Sequence, residues 1–477
     1  LVGSEMCIRD RHFITLNHNK PSLCYHTNME QILDVKIEQI SNLGSGIAKV
    51  DGMIIFVENT CPEDKVRIQI TKKTKTYAIG KLLEILEPSP HRVEPICPMQ
   101  KVCGACQIQF IDYKYQLELK KQIVEDYARN LEIKVGDTIP SPQTTEYRHK
   151  IQYPISETQH SKRILAGYYK PKSHEIVNIK YCPIQPKICD DIIDYIRETA
   201  PKYDIKGYKE KKHAGDLRHV VIRASKSTGK NLVVLVVNAT KTFDRLINFA
   251  KDIYNRFDEV SGVCVNFNSK KTNLILSDKT ELICGQDFVE EKLCDYTFKI
   301  GANTFFQVNP QSAENIFRYV KDYIKSNFEN PTVLDTYAGI AAFGIAMSDI
   351  SKKVVSVESN KESIIIADKV LKDNKIKNVE LHNMDTAKFL EKEISSKNRK
   401  FDITILDPPR KGCTQESLDR VLEVTKSKIV YVSCNPQTLV RDIEYLKSKG
   451  ARVNFIQPFD MFCHTYHTEC VTIIDVE

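Results

Sequence analysis

From about residue 301 to the end, four apolar runs recur and each stops on polar residues: TVLDTYAG, KVVSVESN, FDITILDPP and KIVYVSCNP. Stretches with helical spacing separate them. A strand buried on both faces reads as a continuous apolar run, and alternating such runs with helices requires a parallel sheet covered on both sides. The pattern predicts an α/β, Rossmann-like domain over 301–477 that binds its ligands at the carboxyl ends of the strands. Polar residues at those ends are therefore the candidates for chemistry.

The rest of the chain reads differently. Residues 29–89 alternate apolar and polar positions in short runs (VKIEQI, GIAKV, MIIFV, KVRIQI, AIGKLLEIL), which predicts a small OB-like β-barrel. Lys72, Lys73 and Lys75 give it a basic edge suited to a nucleic-acid backbone. A proline-rich stretch, PSPHRVEP, leads into a cysteine-bearing segment. Residues 90–300 form a mixed α+β central domain, whose helix near 109–131 is expected to pack with the catalytic domain. Residues 1–28 show no sustained period and Met29 opens directly into strand-like sequence, so 1–28 is expected to be a disordered or non-native leader.

A chain of 477 residues exceeds what one hydrophobic core supports, in keeping with this division. Lysine and arginine outnumber aspartate and glutamate by 69 to 62, which permits a polyanionic partner without proving one. No apolar run is long enough to cross a bilayer and no signal-like start is present, so a cytoplasmic protein without a membrane partner is expected. Nothing points to an obligate protein partner. In that setting fifteen cysteines suggest thiols, metal or catalysis in preference to disulfides.

Particular residues carry the chemistry. Asp335 ends the first run and the chain turns through Gly339, where a missing side chain lets a ligand approach the backbone. Glu358, nineteen residues later, ends the next run, where its carboxylate suits the hydroxyls of a ribose. Asp385 comes after a third strand. Asp407 ends a fourth, stiffened by Pro408 and Pro409. Arg410 stands where transfer to exocyclic amines would call for an aromatic ring, which argues against that chemistry. Cys434, with Asn435 and Pro436 behind it, ends the last run, and Glu469 lies in the polar cluster HTYHTECV. Cys97, Cys103 and Cys106 form C-x5-C-x2-C, and Cys182 or Cys189 completes four ligands for zinc or a [4Fe–4S] cluster.

Together SCNP, DPPRKG, HTYHTE, FFQVN and the four cysteines resemble the RNA uracil-5-methyltransferase family, most closely the branch acting on 23S ribosomal RNA. The likeness runs from about Met29 to the end and includes a TRAM-like barrel, which the transfer-RNA branch typically lacks. It implies S-adenosylmethionine as cofactor, Cys434 as nucleophile and Glu469 as proton acceptor. It further implies cofactor contacts from Gln307, Tyr337, Glu358, Asp385 and Asp407, with Phe305 beside the target uracil. Cys97, Cys103, Cys106 and Cys182 are implied ligands of a [4Fe–4S] cluster. The chemistry agrees: a thiolate added to carbon 6 of uracil makes carbon 5 nucleophilic enough to accept a methyl group. The alternatives are a transfer-RNA uracil-5-methyltransferase or a non-catalytic RNA-binding protein on the same fold. A cytosine-5 DNA methyltransferase fits poorly, because it presents its cysteine early in the sheet.

Overall fold

The computed structural model describes residues 31–395 and 400–476, so the expected leader lies outside the described residues. At the amino-terminal side, β1 (Ile32–Lys36), β2 (Gln39–Ile40), β3 (Gly46–Val50), β4 (Met53–Val57), β5 (Lys65–Lys73) and β6 (Tyr77–Glu87) form one sheet in the order β1-β5-β6-β4-β3-β2. Their alternation places Val35, Ala48, Ile55, Val57, Val66, Ile68 and Ala78 in one small core. The strand ladders leave β1 and β2 at opposite ends of that order, although only Ile37 and Glu38 separate them in sequence. Buried Asp64 fastens this sheet to the segment beyond β6, accepting from Ser89 N (2.9 Å) and pairing with Arg92 (2.7 Å).

Next come α1 (Tyr113–Ala128) and β7 (Lys134–Val135). The helix is shorter than the periodicity over 109–131 suggests. Asp112 starts it by accepting from Tyr115 N, and Ile108, Phe110 and Ile111 are buried as loop residues. The central sheet uses β8 (Lys150–Glu157), β9 (Ile164–Ala166), β10 (Leu217–Ala224), β11 (Asn231–Val237), β12 (Val260–Phe267) and β13 (Thr280–Gly285), ordered β13-β12-β11-β10-β8-β9, with α2 (Lys187–Thr199) and α3 (Asp244–Arg256) in the connections. A hairpin of β14 (Phe288–Leu293) and β15 (Tyr296–Gly301) leads onward.

The carboxyl-terminal part alternates as the sequence predicts: α4 (Pro310–Asn327), β16 (Thr332–Thr336), α5 (Ala342–Ala346), β17 (Lys353–Glu358), α6 (Lys361–Asp373), β18 (Val379–Asn383), α7 (Thr386–Ser395), β19 (Phe401–Leu406), α8 (Gln415–Val424), β20 (Thr425–Ser433), α9 (Pro436–Ser448), β21 (Arg452–Phe459) and β22 (Glu469–Asp475). Their sheet runs β18-β17-β16-β19-β20-β22-β21-β7. The five strands from β16 to β20 are parallel, whereas β22 is antiparallel to both of its neighbours. Successive residues alternate between two cores: Val333, Val354, Ile403 and Val430 face one, Leu334, Val355, Leu406 and Tyr431 the other. Each fully buried aliphatic side chain there contributes about 1.5–3 kcal/mol, which is why these strands read as unbroken apolar runs. The eighth strand comes from Lys134–Val135, and Val124 and Ala128 of α1 join the second core.

Candidate active site

Strand geometry gathers the reactive residues. Because β19 and β20 run parallel, Asp407 and Cys434, one residue beyond each, emerge at the same sheet edge. Because β22 runs antiparallel to β20 with Ser433 opposite Cys470, its first residue, Glu469, lies beside Cys434. Asn435 fixes the corner. Its side chain accepts from Gln437 N (3.1 Å) to cap α9 and donates to Arg410 O (3.1 Å), where Thr438 Oγ1 also donates (3.2 Å). The DPPRKG and SCNP loops are thus tied together, and Arg410 is carried to the thiol. Asn435 stands out in sequence only as a cap before Pro436, and its second bond is a tertiary fact.

Electrostatics at this corner oppose charge. Burial, then the charge of neighbouring Asp407, pushes the Glu469 carboxyl up to about 8, while Arg410 works the other way. Burial also pushes the Cys434 thiol well up, with Glu469 and Asp407 adding to the rise while Arg410 opposes it by charge and by hydrogen bond. His467, whose Nδ1 is 3.3 Å from Arg410, is driven down to about 3 by burial and then by that cation, so it is neutral. At rest the thiol and Glu469 both keep their protons at neutral pH.

A second group lies along β16 and β17. Asp335 Oδ2 accepts from Gly344 N (3.0 Å) and Ser356 Oγ (2.9 Å), while its Oδ1 is buried and takes no hydrogen bond among the described residues. Burial raises Asp335 to about 7, against the pull of those two bonds. Burial, then the charge of Asp335, raises Asp407 to about 7 as well. Two desolvated carboxyls with one orphaned oxygen fit a cationic ligand, whose arrival would favour their ionised forms. Asp335 was legible only as a strand-end acid, although an acid inside an apolar run is costly enough to signal a role.

The turn between them is tight: Tyr337, Gly339 and Ala341 all have φ near +55°. Glu358 holds that turn, accepting from Gly339 N (2.9 Å) through one oxygen and from Asn360 N (2.7 Å) through the other. The Phe305 ring edge lies on the open side of Gly339, 3.9 Å from where a Cβ would stand. Asp385, just past β18, receives Ala387 N (3.0 Å) at the start of α7, and is close enough to raise the Tyr337 hydroxyl. Gln307 is half-buried two residues beyond Phe305. The structure therefore brings Asp407, Cys434 and Glu469 together, with Tyr337, Glu358, Asp385 and Phe305 around the adjoining turn.

The four cysteines lie elsewhere. Burial pushes the Cys106 thiol far up, and Cys182, Cys103 and Cys97 raise it further, so the four share one neighbourhood. Cys182 is likewise pushed to about 12. Cys189 is buried with its Sγ 3.9 Å from Asn231 Oδ1, and Cys182 is close enough to help raise its thiol. Among the described residues no group of three or more His, Cys, Asp or Glu side chains is drawn tightly enough to hold a metal ion. In donor chemistry the set fits a thiolate-bound centre, since a cation would offset the burial that keeps these thiols protonated.

Known proteins resemble this chain in sequence and fold. The sequence profile of the tRNA (Uracil-5-)-methyltransferase family matches residues 266–476, and that of the TRAM domain matches 29–83. An uncharacterized RNA methyltransferase of Halalkalibacterium halodurans is 33% identical over 94% of this chain and 98% of its own length. One from Clostridium acetobutylicum is 34% identical over 94% and 99%. The structure of Pyrococcus abyssi tRNA (uracil-54, C5)-methyltransferase in complex with S-adenosyl-L-homocysteine is 27% identical, with a TM-score of 0.74, over 93% of this chain and 100% of that one. No described helix is long and apolar enough to cross a membrane. This chain belongs to the RNA (uracil-5-)-methyltransferase family of S-adenosylmethionine-dependent enzymes, and carries a TRAM domain ahead of its catalytic sheet.

Proposed function

We propose that the enzyme methylates carbon 5 of a uridine in 23S ribosomal RNA through a covalent bond between Cys434 and carbon 6, and that Glu469 removes the carbon 5 proton afterwards. The observation that supports this most is the juxtaposition of Cys434 and Glu469 across β20 and β22, with Arg410 close enough to both to oppose the rise that burial imposes on each. The Cys434 thiol first gives up its proton to solvent water, and Arg410 favours the thiolate that remains. Addition of sulfur to carbon 6 moves the ring π electrons onto oxygen 4, leaving carbon 5 nucleophilic. S-adenosylmethionine, when bound, supplies an electrophilic methyl group on a sulfonium. The ionised fraction of Glu469, which a carboxyl near 8 leaves at neutral pH, then takes the proton from carbon 5, the double bond re-forms, and the carbon–sulfur bond breaks to return the Cys434 thiolate.

On this reading Asp335 and Asp407 offer carboxylates to the cationic end of the cofactor, while Gln307, Tyr337, Glu358 and Asp385 contact the remainder and Phe305 stacks near the uracil. Cys97, Cys103, Cys106 and Cys182 hold a [4Fe–4S] cluster. The division 29–89, 90–300 and 301–477 describes the working parts, with α1 and β7 lent to the catalytic sheet, and the enzyme works in the cytoplasm. A transfer-RNA substrate is the second reading, favoured by the Pyrococcus enzyme. The match to that enzyme spans 93% of this chain, so the TRAM domain alone does not choose ribosomal RNA.

RNA carrying 5-fluorouridine tests the chemistry, because fluorine cannot leave as a proton. With cofactor present, a stable protein–RNA adduct is expected with the native enzyme and none with Cys434→Ala. Offering 23S and transfer RNA side by side and mapping the adduct decides the substrate. An adduct on transfer RNA alone would overturn the ribosomal reading.

A further inference from the structure

The nine residues 460–468 connect β21 to β22, and the ends of this loop are paired, Phe459 opposite Glu469. The shape of the loop therefore sets where Glu469 stands. That shape is imposed from outside. Five consecutive carbonyls each accept from a different donor: Asp460 O from Ser312 Oγ (2.8 Å), Met461 O from Asn309 Nδ2 (3.1 Å), Phe462 O from Lys120 Nζ (2.9 Å), Cys463 O from Tyr147 Oη (3.0 Å) and His464 O from Ile108 N (3.1 Å). Lys120 does more than donate once. Its ammonium also meets Asp460 Oδ1 at 2.5 Å, both side chains are fully buried, and Tyr113 donates to the other oxygen of Asp460 at 2.8 Å. Thr465 passes the constraint along, donating to Phe462 O (2.8 Å) and receiving His467 N (3.2 Å) two residues before Glu469.

We propose that Lys120, on a helix remote in sequence from the catalytic strands, is the positioning residue for Glu469. It acts by clamping the 460–465 turn through Asp460 and the Phe462 carbonyl. A buried ion pair is weak support for stability, because apolar replacements are often as stable; its use here is to fix one geometry. The inference rests on Glu469 being the acceptor of the carbon 5 proton. Addition of Cys434 and methyl transfer do not need that carboxylate. Loss of the carbon 5 proton to it, with re-formation of the double bond and cleavage of the carbon–sulfur bond, does.

The test uses the full-length enzyme, cofactor and RNA with ordinary uridine, and tracks formation and release of the methylated covalent adduct. Lys120→Met alone leaves the Asp460 carboxylate buried without its counter-ion and is expected to fold poorly, so the informative variant is Lys120→Met with Asp460→Asn. It is expected to keep native melting behaviour and native adduct formation but to release product roughly ten- to a hundredfold more slowly, so that methylated adduct accumulates. Release at the native rate, or formation and release falling in parallel, would overturn the clamp. Glu469→Gln is run alongside. If it traps no adduct, the acceptor assignment fails; if it traps adduct and the double variant does not, the clamp alone fails.

Discussion

Glu469 carries a cost that pH exposes. Its carboxyl ionises near 4.5 when unfolded and near 8 in the folded site, chiefly through burial. Between those values the folded protein binds the extra proton, so stability falls as pH rises across that window. Glutamine at this position has no proton to lose. Glu469→Gln is therefore expected to gain stability over the native protein as pH goes from 5 to 8, by on the order of 1–3 kcal/mol, in thermal unfolding measured at both values. An unchanged difference across that range would contradict a buried, protonated Glu469. The same site shows what sequence could and could not say at this scale. Cys434 stood out because it ends an apolar run, and Glu469 because it lies in a polar cluster near the carboxyl terminus. The orphaned oxygen of Asp335 and the second hydrogen bond of Asn435 depend on which strands become neighbours, and no local pattern encodes that.

At the scale of elements, α5 packs closely against β16 and β17. A Cβ on Gly344 would stand 2.2 Å from Ser356 Oγ and 3.0 Å from Asp335 Oδ2, so this glycine is required by close approach. Gly344→Ala is expected to break the Asp335–Ser356 bond, cost about 1–3 kcal/mol by overpacking, and weaken cofactor binding measured by calorimetry. Native affinity in that variant would argue against a cofactor at this turn. The parallel strands were legible because burial on both faces leaves an apolar signature. Less legible was β7, two residues long, which joins the sheet only through its pairing with β21. Periodicity likewise overran α1 at both ends, since Ile108, Phe110 and Ile111 are buried without being helical.

Across the whole molecule, a TRAM domain stands ahead of the catalytic sheet in the chain. Lys72, Lys73 and Lys75 are exposed near the end of β5 and in the turn beyond it. Replacing all three with glutamine is expected to lower RNA affinity and to reduce the slope of log affinity against log salt by about 2, with single-turnover chemistry at saturating RNA unchanged. An unaltered salt slope would show that RNA does not cross this edge. The division into a strand-rich start, a mixed middle and an alternating α/β part could be read from the changing period of apolar residues. Contacts between parts, such as Lys120 with Asp460, could not, because they join residues hundreds of positions apart. All of this converges on one sulfur atom, and its role is best measured directly: formation of 5-methyluridine in a single turnover by native enzyme and by Cys434→Ala, with cofactor binding confirming that the variant is folded. A loss of on the order of 10³-fold or more is expected, and 5-methyluridine formed at the native rate without that thiol would contradict covalent catalysis at Cys434.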